Sequence, residues 1–163
     1  MTIATEAWFH GHWQMVRIIE NVTEGVIGEF WGECSFVPDG QGLTCDEQGV
    51  LRFRGADYHS GRVSLWRFPQ PGHIEVRYED GRPFHDFDID DPEATHLCGE
   101  DRYRVTYDFG DDTWLCWWEV LGPRKDYVMT TRYRRVAGLT QKPRRAVAAV
   151  SYTHLTLPTT PYV

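Results

Sequence analysis

The dipeptide Asp80-Gly81 stands between two runs rich in β-branched and aromatic residues, Ile74 to Glu79 and Pro83 to Ile89. Asp-Gly reaches positive φ at little steric cost, so the pattern predicts a β-hairpin closed by a tight primed turn. A chain organised around such a hairpin is drawn toward antiparallel pairing. The turn is also charged: Asp80, Arg82, His85 and Asp86 crowd one hairpin, and His96, Cys98, Asp101 and Tyr103 follow soon after.

The rest of the chain is punctuated in the same way. Thr5 to His10 can make one helical turn before Gly11-His12-Trp13, where alternation sets in with Trp13, Met15, Arg17 and Ile19 on one face. Arg17 is the odd member of that face. Val26 to Val37 alternates again, and its glycines predict bends or close backbone approach of the kind a coiled barrel strand needs. Turns are read at Pro38 to Gly42, at Glu47-Gln48-Gly49 and at Pro69 to Gly72, which leaves strands at Leu43 to Asp46, Val50 to Gly55 and, after Ser60-Gly61, Arg62 to Phe68. Asp90 to Ala94 reads as a loop. His96 to Phe109 reads as one long strand broken by a bulge at Gly99-Glu100, and Trp114 to Leu121 and Tyr127 to Val136 complete the series. Nine or ten short strands with one short N-terminal helical turn predict an all-β fold, a single antiparallel barrel or sandwich.

At 163 residues the chain has room for one domain with a sizeable core. Aromatic residues make up 14% and no long apolar segment has helical period, in keeping with the all-β reading. Net charge is −7, yet Lys142, Arg144 and Arg145 are the only formal charges after Val136, so the body is more acidic than the total. Such a body argues against nucleic acid or an anionic membrane surface as the main partner. No apolar run approaches bilayer-spanning length. Cys34, Cys45, Cys98 and Cys116 are scattered without a CxxC pair, and Met1 to His12 lacks the basic and apolar regions of a signal peptide. Both features point to a reducing, cytoplasmic setting.

Gly11-His12-Trp13 after a helical turn, with Arg132, Arg134 and Arg135 ending the last strand, resembles the calycin (lipocalin-like) plan. In that superfamily a Gly-x-Trp opens the first strand and a basic residue of the last strand packs across the Trp at the closed end. A longer series is more specific: Trp13 and Arg17, Gly28-Glu29-Phe30, Leu65-Trp66-Arg67-Phe68, Asp80 to His85, His96-Leu97-Cys98, Asp101-Arg102-Tyr103, and Gly122 to Tyr127. In this order and spacing the chain resembles the mostly bacterial family catalogued as domain of unknown function 6314, from about Trp8 to Arg135. The resemblance implies a lipocalin-like (calycin) barrel domain over residues 8–136 and brings no established activity with it. Cys45 and Ser64 stand where the family often has tyrosines, which bears on the lining of the lumen.

His85 shares a strand face with Phe87 and Ile89, opposite Phe84, Asp86 and Asp88, and is expected to point inward. The alternative is a core histidine satisfied by one neighbour. His96 and Cys98 lie two apart on a strand and can join His85 as three borderline ligands. Their spacing matches no metal signature, so neither metal nor cofactor is expected. Asp101, Tyr103, Lys125 and Tyr127 extend the polar inventory, and an inward Asp101 requires an Arg or Lys partner because an isolated buried charge is too costly. Trp114, Trp117 and Trp118 with several tyrosines offer aromatic walls, which together with a few convergent polar groups describe a small-molecule pocket.

The expected function is therefore binding of a small polar or anionic organic ligand in the lumen or mouth by His85, His96, Asp101, Tyr103 and Lys125, with Arg17 and Arg67 as further candidates. An isomerase, cyclase or hydrolase using His85 and Asp101 as acid and base is the alternative, although no nucleophile elbow or Gly-rich phosphate loop is present. A structural or protein-binding barrel is the third reading. Finally, Val150 to Thr159 resembles the in-frame translation of a sequencing-library adapter. Residues 137–163 are expected to form an unpacked tail, non-native from about Val150.

Overall fold

The computed structural model describes residues 4–137, so the expected tail beyond Ala137 lies outside the described residues. One short helix, α1 (Glu6–Phe9), precedes ten strands: β1 (Gly11–Asn21), β2 (Gly25–Pro38), β3 (Leu43–Phe53), β4 (Ala56–Gln70), β5 (His73–Tyr78), β6 (Pro83–Asp88), β7 (Glu93–Cys98), β8 (Asp101–Phe109), β9 (Thr113–Gly122) and β10 (Lys125–Arg135). They form one antiparallel sheet in the order β6-β5-β4-β3-β2-β1-β10-β9-β8-β7. The sheet curls into a nearly closed, lipocalin-like barrel whose seam lies between β6 and β7.

Alternation decides which side chains fill it. On β1 the residues Trp13, Met15, Arg17 and Ile19 are all buried, while Gln14 and Val16 face out. At one end α1, capped by the Thr5 hydroxyl accepting from Trp8 N–H, drops Phe9 into the barrel as a plug. Its ring meets Phe36, Trp66, Phe109 and Trp114 at centroid distances of 5.2 to 5.6 Å. The guanidinium of Arg135 covers Trp13 from above, the pairing that the Gly-x-Trp pattern implies.

Several turns differ from expectation, each for a local reason. The Asp80-Gly81 hairpin exists, but only Gly81 has positive φ, and Tyr78 N–H donates to Arg82 O across a three-residue loop. The two-residue primed turn occurs instead at Arg54-Gly55, where both φ values are positive (49° and 85°). Consequently Glu47-Gln48-Gly49 is no turn: β3 runs unbroken from Leu43 to Phe53, and β4 begins at Ala56. Gly99-Glu100 is a hairpin turn rather than a bulge, pairing Cys98 with Asp101 and making Glu93–Cys98 a strand of its own.

The in-strand glycines do mark close approach. Gly32 pairs with Gly49, and a Cβ on Gly49 would lie 2.3 Å from Trp31 O and 2.7 Å from the Cα of Gly32. Phe30's ring occupies the space those side chains would need. The register of β5 and β6 also shifts, with Val76 opposite His85 and Arg77 opposite Pro83. Phe84 is the extra residue of that bulge, so both Phe84 and His85 are buried, contrary to the strict alternation expected there.

Candidate functional site

The lumen is divided by chemistry along its axis. The α1 end is aromatic. Beyond that plug lies a buried ion group drawn from three strands: Glu47 on β3 places Oε1 3.0 Å from Nη2 of Arg17 on β1, and Oε2 3.0 Å from Nε of Arg62 on β4. Arg17 Nε also donates to the Thr131 hydroxyl of β10 at 2.7 Å, and its guanidinium lies 5.3 Å from the centre of the Phe30 ring. Burial works against the Glu47 carboxylate, but the two guanidiniums outweigh it and hold its pKa below the ordinary value.

Next to this group His85 is 8% exposed, and its Nε2 lies 2.8 Å from the Tyr107 hydroxyl. Burial, then the charges of a protonated His96 and of Arg62, push its pKa down to about 3. The imidazole is therefore neutral at physiological pH. Its Nδ1 is fully buried and has no hydrogen-bond partner, which is uncommon for a buried polar atom.

From His85 the polar lining continues toward the end opposite α1 through a chain of contacts. Phe84 packs edge-on between His85 and His96, at 4.5 and 5.0 Å. His96, from β7, reaches across the seam: its ring hydrogen-bonds the Phe84 backbone of β6, and its Nε2 lies 3.2 Å from the Tyr78 hydroxyl. Burial lowers the His96 pKa against the opposing pull of the Phe84 bond. Tyr103 stands 6.1 Å from the His96 ring and accepts a 2.8 Å hydrogen bond from Lys125 Nζ, which is also 3.0 Å from Asp101 Oδ2. Burial disfavours the Lys125 ammonium, but the bonds to Tyr103 and Asp101 prevail and raise its pKa. Asp101 thus has the cationic partner that its burial demands.

Of the residues singled out from sequence, His85, His96, Tyr103, Lys125 and Asp101 follow one another through the contacts just described, with Phe84 between the two histidines, while Arg17 belongs to the ion group with Glu47. Arg67 does not join them. It sits at the α1 end of β4, on the face opposite Trp66, and pairs with Asp39 at 2.9 Å. His85 and Asp101 bond different partners, Tyr107 and Lys125, rather than each other. Cys98 is exposed at the end of β7, and among the described residues no three His, Cys, Asp or Glu side chains gather as a metal site.

Glu47, Arg62 and Tyr78 are not among the candidates read from the sequence, and Tyr107 counts there only as one of the wall tyrosines. Reading Glu47 as a turn residue hid it. Placing the turn at Arg54-Gly55 would have put Glu47 directly opposite Arg62 on the inward face.

A nearly closed ten-stranded antiparallel barrel, mostly apolar inside and plugged at one end by an aromatic side chain, is lipocalin-like in fold. Within it, a family model described as a family of unknown function (DUF6314) matches residues 9–135, and the chain belongs to that family. Among solved structures the chain is similar to an S-type phycobiliprotein lyase from Guillardia theta, with a TM-score of 0.52 and 9% identity over 82% of this chain and 91% of that one. At that identity the likeness is one of fold. No curated protein matches the sequence. No helix among the described residues is long and apolar enough to cross a membrane.

Proposed function

We propose that this protein binds a small polar or anionic organic molecule in the barrel lumen, along the path from Arg17 through His85 and His96 to Tyr103 and Lys125. The observation that carries this reading is the unbonded Nδ1 of His85. A buried polar atom without a partner costs about 1 to 3 kcal/mol, a cost that a ligand donor or acceptor offsets. Phe84, Phe87, Tyr107 and Trp118 surround the imidazole within 6.1 Å and supply apolar walls for the body of such a molecule.

The test is a titration with 8-anilino-1-naphthalenesulfonate, a small organic anion that brightens in apolar surroundings, followed in parallel by NMR of protein carrying 15N-histidine. Saturable one-to-one binding that moves the ring-nitrogen signals of His85 and His96 is expected. Absence of binding, or binding that leaves both histidines unmoved, overturns the reading.

A further inference from the structure

The outer wall of the barrel is not uniform. Around β4 to β6 the outward side chains are tied into pairs within the chain: Arg67 with Asp39, Arg77 with Glu75, and His73 with Asp86 and Asp88. Opposite the β6–β7 seam, the wall made by β2, β1 and β10 is different. There Val16 and Trp31 stand side by side, 40% and 43% exposed, with Ile18 at the next outward place along β1. Arg132 flanks Val16 on the other side and makes no ion pair or hydrogen bond among the described residues. Trp117 of β9, beside Thr130 of β10, extends the exposed apolar surface. A contiguous patch of this kind, rimmed by polar groups, marks an interaction surface.

We infer that this face is the interface of a homodimer whose two-fold axis runs along β1. Such an axis lies in the plane of contact and exchanges the two sides of β1, so each side chain on β2 faces the one at the same height on β10 of the other copy. The strand register makes that exchange favourable at three levels. At the first, Val16 meets its own copy on the axis, and Trp31 meets the partner subunit's Arg132, an indole face offered to a guanidinium with no other claim on it. At the second, Ile18 meets its own copy, and Glu29 meets the partner subunit's Thr130. At the third, Glu33 meets the partner subunit's Arg134. Both of these are already engaged within their own chain, Arg134 by Gln14, yet opposite charges rather than like ones are brought together. One place beyond Ile18, past the bulge at Ile19 and Glu20, the Glu20 carboxylate would face its own copy and oppose the contact. The wall is also convex, so two copies touch along few strands. The area buried should stay below about 1,200 Å² in total, the range of weak, reversible association.

Sedimentation velocity of the full-length chain from about 1 to about 200 μM is expected to show a monomer–dimer equilibrium with its midpoint in the micromolar range. Val16→Glu sets two carboxylates against each other on the axis and should weaken the dimer about tenfold or more, whereas Glu20→Gln should tighten it. Both positions are exposed on the outer wall, so melting temperatures close to the parent's should show each variant folded. The axis itself is tested by cross-linking. Cys98→Ser removes the exposed thiol, and on that background Val16→Cys should be joined to its own copy by a short bismaleimide, while Thr95→Cys on β7, beside the seam, should not. A chain that stays monomeric over the whole range overturns the assignment. So does a dimer that withstands Val16→Glu, or one that cross-links no better through position 16 than through position 95. Binding of the monomer to lipid vesicles that is lost in Val16→Glu would give the face to a membrane and overturns the homodimer equally.

Discussion

The guanidinium carbon of Arg135 lies 4.2 Å from the ring centre of Trp13, which joins the end of the last strand to the start of the first. The same guanidinium faces Trp8 at 5.3 Å, donates to Trp8 O at 2.8 Å and pairs with Asp112. Below it Trp13 Nε1 donates to Phe9 O at 2.8 Å, so the indole is locked to both the helix and the last strand. Trp13→Ala should cost about 3 to 5 kcal/mol, the range for deleting a packed large aromatic. Arg135→Ala, which removes a partly exposed cation from the same stack, should cost about 1 to 2 kcal/mol. Urea denaturation measures both, and a Trp13→Ala variant that melts like the parent would show that the indole is peripheral.

A second prediction concerns the crossing of β2 and β3. The backbones of Gly32 and Gly49 approach so closely that a methyl group on Gly49 would strike Trp31 O and the Cα of Gly32, neither of which can swing aside. Gly49→Ala is expected to destabilise the fold by about 1 to 3 kcal/mol, as overpacking does. It should also disturb the ion group, because Glu47 lies two residues away on the same strand. Unchanged stability in a denaturation curve would mean that the strands can part without loss.

How much of this was legible in the sequence depended on period and punctuation. Strand alternation placed Trp13, Met15, Arg17 and Ile19 on one face, and each is buried. The Gly-x-Trp with its terminal arginines implied the Arg135 stack. What sequence could not place was the turn chemistry. Arg54-Gly55 closes a primed turn although arginine is an unusual residue at positive φ. Missing that turn shifted two strands and hid the pairing of Glu47 with Arg62. The Phe84 bulge was equally silent, because two adjacent inward residues break the alternation on which strand reading rests. The site was therefore visible as an inventory of residues, while its ion balance came only from the register of β3 and β4.

A third prediction follows from the Asp86-His73-Asp88 clamp on β5 and β6. His73 Nδ1 lies 2.6 Å from Asp88 and Nε2 2.9 Å from Asp86. The Asp88 bond, against the opposing effect of burial and with help from Asp86, raises the pKa of His73 above 6.5. A raised folded value means the stabilisation is complete below the unfolded value and fades as pH climbs through the folded one. His73→Asn should therefore lower stability at pH 6 and make little difference at pH 9. Equal losses at the two pH values would show that the clamp does not depend on protonation.

His85 has the opposite sign. Its folded pKa of about 3 lies well below the ordinary 6.5, so the unfolded chain takes up a proton that the folded barrel refuses. Its contribution is complete above about pH 6.5 and is lost as pH falls toward 3, at a slope of at most about 1.4 kcal/mol per pH unit for one group. His96, whose pKa is also lowered, acts in the same direction over part of that span. Stability of the wild-type protein, measured by urea denaturation from pH 7 downward, should fall first through these two histidines and only later through carboxylates such as Glu47 and Asp39, whose folded values lie below the ordinary carboxylate range. His85→Phe keeps an aromatic ring in the space and removes the titration, so its curve should be flatter between pH 6.5 and 4.5 while its stability at pH 7 changes far less. A wild-type slope retained in His85→Phe would mean that the imidazole reaches water, and the buried, unbonded Nδ1 on which lumen binding rests would lose its force.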